Sequence, residues 1–362
     1  MTSDTSKTTS ETAPARSGTA PAGADARRAL TGPWRFIPGF GRPTARFVHR
    51  WAIALLVSNV GIVATGGAVR VTGSGLGCPT WPRCTDESFV PHGELGIHGA
   101  IEFGNRMLTW VLILIAIGAW IAVLRFAGSA RRDKWLVTLI ALGIPFQGVI
   151  GGITVLTDLN PWIVALHFLL SMALVSAATV LVYRIRPYVT PSEPPLLDAE
   201  APATAMRRLG IYLAWLVYLV TWVTIYLGTV VTGSGPHAGD TEAPRNGLAP
   251  DNATQLHADA VFALVGLAIA ALVYARVFAR PQQRSALVFM VLLALQGVIG
   301  FVQYATDLPV ALVILHMFGS AVLLIGATWQ VLVAKDSEPR DSEPRDSEPK
   351  DSERLQAEVE TA

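Results

Sequence analysis

QGVIGGITVLTDLNPWIVALH (Gln147–His167) and QGVIGFVQYATDLPVALVILH (Gln296–His316) are two versions of one segment. They agree at 11 of 21 positions without a gap, and a histidine closes both. A second pair of landmarks repeats upstream, where VRVTGSGLG in the 70s answers VVTGSGPHAG in the 230s. His98 follows Gly73 by 25 residues and His257 follows Gly233 by 24. Two tandem halves are therefore expected, each with two histidines at or near the start of an apolar run: His98 and His167, then His257 and His316.

The runs themselves set the fold class. The chain has 362 residues, 51% of them hydrophobic and 15% charged, with a mean hydropathy of +0.44. These are values of a polytopic membrane protein, and a net charge of +1 gives nucleic acid no purchase. Eight apolar runs reach the ~20 residues a bilayer requires. They lie near 51–69, 96–123, 135–156, 162–183, 210–231, 256–275, 285–304 and 310–333. The expectation is an all-α membrane protein of eight transmembrane helices, arranged as two tandem pseudo-symmetric four-helix bundles (46–186 and 209–334). A linker at 187–208 joins them, and polar tails occupy 1–45 and 335–362. Residues 1–45 contain no apolar core of a signal peptide, and 336–353 read DSEPRDSEPRDSEPKDSE, a solvated repeat or interaction tag. Basic residues concentrate after the even spans (Arg125, Arg131, Arg132, Lys134; Arg184, Arg186, Arg207, Arg208; Arg276, Arg280, Arg284). By the positive-inside rule both termini are cytoplasmic and loops 71–95 and 232–255 face outward.

In that topology the four histidines sit in the outer leaflet, where ionisable groups are costly. Facing pairs at matched depth suit axial ligation of a haem iron by two neutral imidazoles inside a four-helix bundle. The alternative for any one of them is a packing or hydrogen-bonding residue. Zinc is disfavoured, since neither pair has a third or fourth Cys or His nearby. His49, His92 and His237 are expected to face solvent. His98, Glu102, Asn105 and Arg106 share one helix face. Glu102 and Arg106 are either a self-satisfied ion pair or, because the sixth span has Val261 at the acid's place, the mark of a half that does chemistry. Cys78 and Cys84, in an outer loop between Gly and Pro residues, are a disulfide or, less readily, a metal pair.

GGAVRVTGSGLGCPTWPRC followed by IEFGNR, then QGVIGGITV and a histidine in the fourth span, resembles the haem A synthase family over roughly residues 50–333. The resemblance implies conversion of a haem O methyl group to a formyl by successive hydroxylations, serving terminal oxidase cofactor biosynthesis. It implies a substrate site in the first half, with His98 and His167 as iron ligands and Glu102 assisting catalysis, and a haem b cofactor in the second, held by His257 and His316. Arg70, Asn105 and Arg106 take supporting places, and Cys78 and Cys84 pair as a disulfide. Partners would be haem O, membrane lipid, haem O synthase, oxidase assembly proteins and further copies of the chain, in a bacterial plasma membrane. Two departures stand out: many members carry His where this chain has Asn105, moving the ligand to His98, ~10 Å outward along the helix, and the sixth span is read as shifted alike, to His257 rather than position 264. The other function classes are a di-haem b electron-transfer protein, which has no use for an acid in one half only, and a porphyrin carrier.

Overall fold

The computed structural model describes residue 39, residues 41–190 and residues 204–337. The low-complexity repeat, most of the N-terminal tail and most of the linker lie outside the described residues. Eight helices are long and apolar enough to cross a membrane, and among the described residues there is no strand. They are α1 (Ala45–Val71), α2 (Gly96–Arg125), α3 (Arg131–Leu156), α4 (Pro161–Ile185), α5 (Thr204–Ser234), α6 (Pro250–Phe278), α7 (Arg280–Ala305) and α8 (Val310–Asp336). Only helices that satisfy their own backbone can cross hydrocarbon in this way, so the chain is a multi-pass membrane protein.

The helices extend past the apolar windows because polar residues cap them. Thr44 accepts the Phe47 N–H (3.3 Å) and Asn160 accepts the Trp162 N–H (3.1 Å). α5 begins at Thr204, inside the expected linker. α3 and α7 end in the same Thr-Asp-Leu turn, with left-handed Asp158 (φ 51) and Leu159 (φ 57) in one and Asp307 (φ 58) and Leu308 (φ 58) in the other. The Leu159 N–H returns to the Thr154 carbonyl and the Leu308 N–H to that of Gln303, both at 2.8 Å. Aspartate tolerates this conformation, but leucine adopts it only where its surroundings hold it there. Leu159 is buried with Ala238 and Ala243 from the second outer loop, and the Leu308 carbonyl accepts Nε2–H of His237 (3.0 Å).

In the first half α1–α2, α2–α3, α3–α4 and α4–α1 pack as neighbours, and in the second α5–α6, α6–α7, α7–α8 and α8–α5. The halves meet through α1–α8, α4–α5 and α4–α8. There Val60, Val63, Met172, Val175, Ile225, Ala321 and Leu324 form one buried cluster. Ser176 of α4 hydrogen-bonds both Tyr218 of α5 and Thr328 of α8, each at 3.0 Å. Each half also has its own apolar core. On α2 the buried residues include Leu112, Ala116, Ala119 and Val123, and on α6 they include Leu264, Ala268, Ala271 and Ala275. The same intervals recur, and α3 with α7 contribute Ile144 and Leu293, α4 with α8 Leu174 and Leu323.

Close approach of α1 and α2 depends on Gly118, where an added β-carbon would stand 2.4 Å from the Trp51 ring. Gly118→Ala is expected to cost about 1–3 kcal/mol through overpacking, read as a lower thermal midpoint in detergent. Gly104→Ala, on the same helix with nothing within 4 Å of its β-position, is the matched control and should not lower it.

Candidate functional site

Both apolar cores stop about two helical turns short of the histidine level. Leu264 is seven residues beyond His257, Leu323 seven beyond His316 and Leu174 seven beyond His167. At that level in the second half, the rings of His257 and His316 stand with centroids 6.5 Å apart and planes inclined at 72°. Nδ1 of His257 lies 3.0 Å from the Thr224 carbonyl. A carbonyl only accepts, so Nδ1 carries the proton and Nε2 keeps its lone pair.

Glycines make the room for these rings. A β-carbon at Gly228 would stand 3.3 Å from the His257 ring, one at Gly300 3.0 Å from that of His316, and one at Gly151 3.2 Å from that of His167. Gly151 and Gly300 are the fifth residues of the duplicated QGVIG, and its first residue also acts on the histidine. Gln147 Nε2 donates to the His167 carbonyl (2.9 Å) and to Ser171 Oγ (2.5 Å). Gln296 Nε2 donates to the His316 carbonyl (2.8 Å) and lies 3.0 Å from its Nδ1. Nδ1 of His167 and Oε1 of both glutamines are buried without a hydrogen-bond partner among the described residues. The identity of QGVIG between the halves was the available signal for Gln147, Gly151, Gln296 and Gly300; nothing in the sequence pointed to Thr224 or Gly228.

The first half differs in its α2 residues. His98 is the third residue of α2, exposed, with Nδ1 2.9 Å from Oγ of the fully buried Ser74. It lines a cleft of about 410 Å³ between the outer loops, shared with Gly73, Leu76, Gly77, Asp240 and Thr241. Among the described residues, His257 and His316 are the histidines whose rings stand against each other. Asn105, seven residues further along α2, accepts from Thr65 Oγ1 of α1 at 2.8 Å.

Glu102 is 5% exposed and both its oxygens are engaged. Oε2 accepts the Cys78 N–H (2.5 Å), and Oε1 accepts Arg106 Nη2 (2.5 Å) and Nε (3.1 Å). Arg106 also donates to the carbonyls of Cys78 and Arg83, both at 3.1 Å. The ion pair on α2 thus clamps the outer loop, whose Cys78 and Cys84 form a disulfide and are fully buried. The loop's Trp81 lies over Gly152, where a β-carbon would be 2.3 Å from the indole. The second copy of the repeat has Phe301 there, 73% exposed. The second outer loop is tied down without cysteines: Arg70 Nε donates to the His237 carbonyl (2.9 Å), the Gly75 N–H to that of Gly239 (2.9 Å), and Asn246 Nδ2 to that of Val230 (2.8 Å).

Two sequence expectations change. His237 is not solvent-facing but part-buried, donating to Leu308 across the loop; His49 is half-buried, and only His92 is exposed as expected. The acid's counterpart also moves: with the cores in register, Glu102 corresponds to Thr254 and Arg106 to Ala258, rather than to Val261 and Val265. The carboxylate still belongs to the first half alone.

The chain matches the family described as cytochrome oxidase assembly protein (COX15-CtaA) over residues 49–98 and 93–328. It is 28% identical over 212 residues to a protein of Staphylococcus saprophyticus named "Heme A synthase", a match spanning 56% of this chain and 66% of that one. Proteins of the same name from Listeria welshimeri (27% over 192 residues, 51% and 59%) and Staphylococcus epidermidis (28% over 213 residues, 56% and 66%) are similar as well. The chain therefore spans less than two thirds of the length of these relatives.

The clamp yields a measurable expectation. Glu102→Ala leaves Arg106 unpaired and the Cys78 N–H without its acceptor, at a cost of about 3 kcal/mol. The buried disulfide should then become accessible, and alkylation of Cys78 and Cys84 under mild reductant should run at least about tenfold faster than in the parent. An unchanged rate would show that the loop is held independently of the carboxylate.

Proposed function

We propose that this chain, which belongs to the cytochrome oxidase assembly protein family (COX15-CtaA), is a haem A synthase: a membrane oxidoreductase that converts a methyl group of haem O to a formyl. Successive hydroxylation of one carbon gives an alcohol and then a hydrate, which loses water to the aldehyde; each hydroxylation takes two electrons from the carbon and adds one oxygen atom, and so requires an external oxidant. The product serves terminal oxidase assembly. The second half holds a resident haem b between His257 and His316, and the first half takes haem O with His167 as a ligand to the substrate iron.

The observation that carries this reading is the His257–His316 pair. Two imidazoles bound through nitrogen at ~2 Å on opposite faces of one metal put their ring centres ~6 Å apart, against 6.5 Å here. The proton on His257 Nδ1 leaves Nε2 as a donor to iron, and Gly228 and Gly300 let the two rings lie this close to the neighbouring helix backbones. The pair therefore fits the group by its spacing, and His257 by its proton as well. When bound, haem b would supply one-electron transfer, with His257 and His316 as the residues that would hold it and tune its potential.

The chain's own side chains do the rest. His167, seated on Gly151, orients the substrate. Glu102 and Arg106 hold the Cys78–Cys84 loop, and Trp81 packs that loop onto α3 beside the first-half site. A carboxylate so engaged acts by positioning the loop. The basic loops after α2, α4 and α6 orient the protein with both ends in the cytoplasm of a bacterial plasma membrane.

Expression of the full chain with a haem O supply, followed by pigment extraction and chromatography, tests the activity. Haem A is expected. An intact chain that binds b-type haem and yields none would overturn the enzymatic reading. His257→Ala and His316→Ala should each remove the b-type absorbance of the second half and lower haem A per chain at least about tenfold; full haem A in either variant would refute the cofactor assignment.

A further inference from the structure

We infer that the first-half porphyrin site has a single protein ligand, His167, and that the opposite face is left open beneath Asn105 for a small exogenous ligand such as dioxygen or carbon monoxide. This rests on the haem-site reading above, and deepens it by giving the two sites different coordination.

Helix register distinguishes the two halves. The sequence landmarks align His98 with His257, but the packed cores align different residues. Leu112, Ala116, Ala119 and Val123 of α2 repeat the intervals of Leu264, Ala268, Ala271 and Ala275 of α6. Counting back seven residues from the first of each reaches Asn105 in α2 and His257 in α6. The neighbouring helix agrees. Asn105 is bonded to Thr65 of α1 and His257 to Thr224 of α5, and the shared VTGSG of 71–75 and 231–235 makes Ala64, beside Thr65, the counterpart of Thr224. His98, two turns further out, is bonded at the rim to Ser74, beyond the end of α1.

On the other side the halves agree. His167 and His316 are each the seventh residue of their helix and each rest on the last glycine of QGVIG. Where the second half opposes His316 with an imidazole, the first half therefore opposes His167 with an amide. An amide is no substitute for an axial imidazole on haem iron. With Oδ1 accepting from Thr65, the Asn105 NH₂ group has no protein partner among the described residues and is the hydrogen-bond donor available to a ligand on that face.

The test uses the full chain, co-expressed with a haem O supply and purified with both porphyrins. Dithionite-reduced samples are titrated with carbon monoxide and followed by difference spectroscopy, which does not depend on turnover. About one carbon monoxide per chain is expected, lost with the porphyrin in His167→Ala and unaffected by His98→Ala. Asn105→His should make both sites six-coordinate, reduce carbon monoxide binding at least about tenfold and move the first-half haem to a low-spin spectrum. The inference is overturned if the reduced parent binds no carbon monoxide with both sites loaded, or if His98→Ala raises binding. Haem A in the extract of a chain silent to carbon monoxide would overturn this inference alone; carbon monoxide binding without haem A would overturn the enzymatic reading alone.

Discussion

Three imidazoles, of His167, His257 and His316, each lie against a glycine of an adjoining helix, and most of the site's architecture follows from that contact. A ring can sit this close to a helix backbone only where no β-carbon intervenes, and at Gly151, Gly228 and Gly300 one would come within 3.0–3.3 Å. The apolar cores begin two turns away, so the rings occupy a level that side chains of the core do not fill. In a bilayer, polar groups at such a level are costly. The glutamines that open each repeat hold the histidine carbonyls from the same helix that supplies the glycine, and so couple the position of the imidazole to the packing of α3 on α4 and of α7 on α8.

The halves diverge where the outer loops meet them. In the first, a buried ion pair on α2 grips a disulfide loop, and its tryptophan occupies the space over Gly152. In the second, backbone hydrogen bonds, Arg70 from the other half and His237 hold the loop. These ties also secure the leucines of the Thr-Asp-Leu turns in a conformation they do not favour unaided. At the one position that differs inside QGVIG[G/F], phenylalanine at 152 would displace Trp81, whereas Phe301 is exposed.

Eight spans, their order and the tandem organisation were legible because hydropathy runs of bilayer length and an ungapped repeat are local properties of the chain. The helix ends were less so, since Thr44 and Asn160 extend helices past the apolar windows, and Thr204 starts one inside a Pro- and Ala-rich stretch. For the site, the repeat singled out His167 and His316, and the outer loop singled out Cys78 and Cys84, which form the disulfide. Glu102 read either as an ion pair with Arg106 or as the mark of a half that does chemistry; the ion pair is present, and folding adds a backbone N–H that the chain brings back from 24 residues away.

What the amino-acid order carried was periodicity, composition and duplication, each of which needs no knowledge of neighbours in space. What folding added was register between helices. Two histidines at nearly equal distances from matching glycine landmarks in sequence end at different levels, because the intervening loop in one half is folded around a disulfide and in the other is not. A helix shifted by two turns keeps its apolar stripe facing inward, so the pattern of the sequence is the same in either position. Only the packing of Leu112 and Leu264 into their cores fixes which residue, Asn105 or His98, stands where His257 stands in the other half.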